Sequence, residues 1–127
     1  MSQYNASGHK AYKATAALAK GVLVKLASGE AVVSAAATDK SIGVTVVAAG
    51  AGEMADIRLL SAQGTSRYTA GGNIAVGDLL VAAAAGKVVA LTQAAAGAQP
   101  TSVVVGRALE TAVNGDLFEA EVVTFLA

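Results

Sequence analysis

The sequence predicts an all-β chain, a small duplicated β domain of barrel or sandwich type with an extended N-terminal arm. Short Val, Leu and Ile runs are punctuated by glycine turns about every 8–12 residues, the spacing of a barrel or sandwich. One pattern is also written twice. Gly21-Val22-Leu23-Val24-Lys25, Ser28-Gly29-Glu30-Ala31-Val32-Val33, Ile42-Gly43-Val44 and Gly52-Glu53 form the first series. Gly77-Asp78-Leu79-Leu80-Val81, Ala85-Gly86-Lys87-Val88-Val89, Val105-Gly106-Arg107 and Gly115-Asp116 repeat it. The spacing between copies is 56 residues at Gly21/Gly77 and 63 at Gly52/Gly115. The second copy therefore gains one residue in its hairpin and the rest in its long loop. A repeated block of this kind cannot bury its apolar face alone, so two copies imply one pseudo-symmetric unit.

The elements follow in order. Residues 1–12 are polar and broken by Gly8 and His9, and they predict a flexible arm, ordered only where something holds it. Residues 13–127 predict a single β domain built from two similar halves, about 21–60 and 77–123. Ala11 to Ala19 has the alanine content of a helix, but Tyr12, Thr15 and the Gly-Val-Leu-Val that follows favour an extended lead-in. Val22–Leu26 and Ala31–Val33 predict a hairpin across Ser28-Gly29, with glycine placed for positive φ. Val81 and Val88-Val89 predict its counterpart. Ile42–Val47, Asp56–Leu60, Val103–Leu109 and Leu117–Phe125 predict the longer strands, and Ser66–Tyr68 a short one between the copies. Asn114-Gly115 has the residues of a type I′ turn. Ser34 to Ala37 and Thr92 to Gln99 predict loops.

Composition narrows the function. Nine basic and nine acidic residues cancel, with no basic stripe, which argues against nucleic acid as a partner. The uncharged run Val88 to Gly106 is interrupted by Gln93, Gly97, Gln99 and Pro100, so no membrane span is expected. The first twenty residues lack the apolar stretch of a signal peptide. With no cysteine, neither a disulfide nor a thiolate metal site is available. About a quarter of the residues are alanine, and each Leu replaced by Ala forgoes roughly 2 kcal/mol of burial. A core this poor in material predicts association.

No residue set predicts catalysis, a metal or a cofactor. His9 is the only histidine, and a lone histidine in the expected arm predicts neither a metal site nor a general base. Gly50-Ala51-Gly52-Glu53 and Gly71-Gly72-Asn73 are each followed by a strand, whereas a phosphate cradle opens a helix. Glu53, Asp78 and Asp116 recur at equivalent turn positions, which predicts backbone capping rather than an acid/base pair. Tyr4, His9, Tyr12, Arg67 and Tyr68 are candidate partner contacts, because Tyr and Arg outside an Ala/Val core anchor interfaces.

The second copy, Gly77-Asp78-Leu79-Leu80-Val81, Gly86-Lys87-Val88, Val105-Gly106-Arg107-Ala108-Leu109-Glu110 and Gly115-Asp116, resembles the capsid decoration (cement) proteins of tailed bacteriophages. With both copies counted the likeness spans Gly21 to Val123. The first copy departs from the pattern, with Val22 where the second has Asp78 and Glu53 for Asp116. The resemblance implies a small duplicated β-barrel or β-tulip-like fold and a structural, non-enzymatic virion protein on the outer surface of the capsid, present in the host cytoplasm during assembly. It further implies a homotrimer that bridges subunits of the major capsid protein and stabilises the lattice. A self-assembling phage tail or fibre module is the alternative, followed by a carbohydrate-binding head domain, for which three Tyr and two Phe are few.

Overall fold

The structure is a computed structural model that describes residues 8–62, 64–91 and 101–127. It is all-β, with two antiparallel sheets. The strands are β1 (His9–Lys13), β2 (Leu23–Ala27), β3 (Glu30–Val33), β4 (Gly43–Thr45), β5 (Met54–Leu59), β6 (Thr65–Thr69), β7 (Leu79–Ala82), β8 (Val88–Ala90), β9 (Val103–Ala108), β10 (Leu117–Glu121) and β11 (Phe125–Leu126). One 3₁₀ turn, Ala84–Gly86, lies between β7 and β8.

The duplication is complete in the topology. The first sheet runs β1-β5-β4-β2-β3 and the second β6-β10-β9-β7-β8, the same order in equivalent strands. Each sheet curls until its edges meet through a parallel bridge, Ala14 to Ala31 in the first half and Ala70 to Val88 in the second. Antiparallel bridges Leu18 to Ala49 and Ile74 to Ala112 close the same end of each unit. The hairpins differ as their lengths require. Ser28 and Gly29 both take positive φ in a two-residue turn with Ala27 opposite Glu30. Ala85 and Gly86 do the same inside the longer loop.

Part of the arm expected over residues 1–12 is a strand. Residues 9–12 belong to β1, which pairs with β5 from His9 opposite Arg58 to Lys13 opposite Met54. The physical reason is duplication: β1 is the counterpart of β6, and without it β5 would keep an unpaired edge. Residues 1–7 lie outside the described residues, as does the predicted loop from Thr92 to Gln99. The strand expected over Leu117–Phe125 is two strands, since after Glu121 the chain leaves β6 and returns beside β9, with Phe125 opposite Val104.

The turn at Asn114-Gly115 is also different. Only Gly115 has positive φ, at 92°, and the Asp116 amide donates to the Val113 carbonyl at 3.0 Å. A single positive φ at the third position is the pattern of type II rather than type I′. The turns Gly50–Glu53 and Ala75–Asp78 close in the same way, with Gly52 and Gly77 at the third position.

Two apolar clusters occupy the two units. The larger includes Tyr68, Ala70, Ile74, Leu80, Val88, Val105, Phe118 and Ala120, and it recruits Leu23 and Val44 from the first half. The smaller is Ala14, Leu18, Val24, Ala31, Ala55 and Ile57, with Tyr12 and Ile42 packed against it.

Candidate functional site

The halves meet along an open groove of about 510 Å³. Lys20, Gly21, Thr45 and Arg58 line it from the first half, and Ser66, Arg67 and Glu119 from the second. The junction beneath is made by backbone. The Thr69 amide and hydroxyl each donate to the Gly21 carbonyl at 3.0 Å. Arg58 donates from Nε to the Ser66 hydroxyl at 2.9 Å. At the other end the Gly86 amide donates to the Ser34 carbonyl at 2.8 Å. Glycine is obligatory at both ends. A Cβ on Gly21 would run into the Leu117 side chain, and one on Gly86 would sit 2.9 Å from the Leu23 carbonyl oxygen.

Three cations and one carboxylate around this groove make it a polar recess suited to an acidic or hydrogen-bonding surface. Among the described residues no group of three His, Asp or Glu side chains is placed to hold a metal.

The sequence-predicted contact residues do not form one site. Arg67 is exposed on the groove wall. His9 lies on β1, its Nδ1 3.2 Å from Asp56 Oδ1, with both side chains well exposed. Tyr12 is half-buried against the smaller core, with Lys10 Nζ 5.4 Å from its ring centroid. Tyr4 lies outside the described residues. Tyr68 is not a surface contact: it is fully buried, packs edge-on against Phe118 with ring centroids 6.5 Å apart, and donates its hydroxyl to the Val105 carbonyl at 2.7 Å. Its place on β6, the strand that pairs with β10, turns its ring into the core. Burial pushes its phenol above the ordinary value.

The carboxylates cap turns, as their recurrence predicts. Glu53 accepts from the Gly50 amide, Asp78 from the Ala75 amide at 2.9 Å, and Asp116 from the Val113 amide at 3.0 Å. Where Val22 replaces the acid, Thr45 takes over, accepting from the Val22 amide at 3.1 Å and donating to the Ala19 carbonyl at 2.6 Å. Lys20 and Thr45 were not singled out from sequence. Gly21 and Gly86 lie at the junction while their repeats Gly77 and Gly29 do not, a difference that the shared glycine at all four positions does not reveal in the sequence.

No protein-family model matches the chain, and no curated protein does. Among solved structures it is similar to the crystal structure of the head fiber gp8.5 N base of bacteriophage phi29. That likeness has a TM-score of 0.73 at 21% identity and covers 91% of this chain and 92% of the other. At this identity the shared property is the fold, and it extends over nearly the whole of both chains.

Proposed function

We propose that this chain is a structural, non-enzymatic virion protein of a tailed phage that sits on the outer surface of the head and bridges subunits of the major capsid protein. The observation that carries the reading is the near-complete fold likeness to the base of a phage head fiber. The resemblance of the Gly77–Asp116 series to decoration proteins supports the same location. The chain acts as a homo-oligomer, expected to be a trimer, and stabilises the lattice because each oligomer holds several capsid subunits at once. The exposed Arg67 adds a contact to the shell. No cofactor, metal or nucleic acid takes part.

The name of the structural neighbour favours a second reading, the base of a head fibre, in which the chain anchors an appendage rather than cementing the lattice. Co-sedimentation with heads of the source phage separates the two, read together with head melting. Saturable binding to expanded heads but not to compact precursors, with a raised head melting temperature, is the expected result. Binding at a few sites per head with unchanged head stability would favour the fibre base. No affinity for either form of head would overturn both.

A further inference from the structure

Among the described residues, the in-chain junction uses one docking face from each half and leaves the equivalent face of the other half open. In the first half the face around Gly21 and Arg58 is covered by Ser66, Thr69 and Leu117 of the second. Its counterpart in the second half, around Gly77 and Glu121, is open: a Cβ on Gly77 would meet nothing within 4 Å. The converse holds at the other face. Gly86 is pressed against Leu23, whereas a Cβ on Gly29, its counterpart, would meet nothing. All four glycines have positive φ, so the backbone is already shaped for docking in both halves.

We propose that the open face of the second half docks onto the open face of the first half in another copy of this chain, repeating the in-chain junction from copy to copy. The equivalences specify the contacts. Met54 takes the place of Leu117 and seats over Gly77 of the neighbouring copy; it is now 64% exposed. Lys10 replaces Ser66 and Glu121 replaces Arg58, so a guanidinium–hydroxyl hydrogen bond inside the chain becomes an ammonium facing a carboxylate between chains. Lys13 replaces Thr69 and lies beside Gly77 and Asp78. Val76, also 64% exposed, and Leu109 supply the apolar rim where Lys20 and Val46 stand in the groove.

Charge complementarity favours a second copy as the occupant. The open face of the first half carries Lys10 and Lys13 with the single carboxylate Asp56, and that of the second carries Asp78 and Glu121 with the single cation Arg107, so the two faces keep opposite net charge. In the isolated chain Glu121 is held by Arg107 at 3.4 Å, both side chains nearly half exposed, so it can change partner at little cost. The contact joins two different surfaces and is therefore heterologous, which builds a ring where the rotation closes and a filament where it does not.

This inference deepens the proposed self-association but needs no phage head: solution mass tests the docking faces and head co-sedimentation tests the location, so either can fail alone. The full-length chain is examined by sedimentation velocity beside two variants, Met54→Arg, which blocks one face, and Val76→Arg, which blocks the other. Both positions are exposed, and circular dichroism confirms that the variants keep the fold. The native chain is expected to be oligomeric and each variant alone to be monomeric, since every chain then lacks one of the two complementary faces. Their equimolar mixture should form a 1:1 heterodimer through the two unblocked faces, with at least a tenfold gain in association over either variant alone. Glu121→Lys should weaken native association, and adding Lys10→Glu in the same chain should restore it. A monomeric native chain, or native mass retained by either blocked variant, would overturn the proposal.

Discussion

The two halves share a strand order but not a core. Every residue of the smaller cluster has a counterpart in the larger: Ala14 and Ala70, Leu18 and Ile74, Val24 and Leu80, Ala31 and Val88, Ala55 and Phe118, Ile57 and Ala120. At the last two positions large and small change places. Tyr68 stands opposite Phe118 across β6 and β10, whereas its counterpart Tyr12 stands opposite Ala55 across β1 and β5. The second half thus owns a closed aromatic pair, and the first leaves its tyrosine half-buried at a sheet edge. The apolar pattern is kept while side-chain volume shifts toward the second half, as hydrophobic cores that are repacked together allow. The half with the richer core also draws Leu23 and Val44 into it. It is the anchor on which the first half rests.

That asymmetry is open to direct attack. The largest effect is expected from Phe118→Ala, which removes a fully buried ring and should cost about 3–5 kcal/mol. Tyr12→Ala, at the equivalent strand pair of the first half, should cost well under that. Urea unfolding of both variants measures the difference, and equal losses would mean that the cores are equivalent after all.

Next comes the junction. Gly86→Ala and Gly29→Ala share the strain of a left-handed residue, about 1–2 kcal/mol. Only Gly86→Ala should add overpacking of about 1–3 kcal/mol against Leu23, since Gly29 faces open space. Thermal melts of the two variants isolate the junction.

A smaller loss, about 1 kcal/mol, is expected for Tyr68→Phe, which abandons the hydrogen bond to Val105. The same group gives the fold an alkaline limit. Its phenol is raised in the folded state, so the stability it contributes is whole below about pH 10 and is lost as pH climbs above that value. Tyr68→Phe should flatten this alkaline decline, read from melts taken at rising alkaline pH.

The smallest effect belongs to Asp39. The Ala35 amide at 2.7 Å holds its carboxyl below the usual value against desolvation, helped by Lys25 and the Ala36 amide. Its contribution is present above about pH 4 and disappears as pH falls through the lowered folded value. A melt series of Asp39→Asn across pH 2–6 should show a slightly shallower acid decline than the native chain.

Much of the architecture was legible because it is written in glycines. Gly21, Gly43 and Gly52 fixed the register of the first half, and Gly77, Gly106 and Gly115 that of the second. Gly43 and Gly106 are required for the same reason, a close approach of the backbone carbonyls of Arg58 and Glu121 in the paired strand. The duplicated strand β1 was missed because the repeat was traced from Gly21 onward. Tyr12, Ala14, Leu18 and Gly21 lie 56 residues before Tyr68, Ala70, Ile74 and Gly77, so the signal extended further back. The burial of Tyr68 was hidden because a tyrosine in a polar strand reads as an edge residue until its cross-strand neighbour Phe118 is known. The groove could not be read at all, since Lys20 and Arg58 meet Arg67 and Glu119 only when the halves dock.

The account stands most directly on whether chains meet as their halves do. A crystal or electron cryo-microscopy structure of the assembled protein measures this. The predicted result is Met54 of one copy packed over Gly77 of the next, with Lys10 facing Glu121, in the arrangement that Leu117 and Gly21 show inside the chain. Copies joined by a two-fold contact, or through faces remote from Gly77 and Gly29, would contradict it.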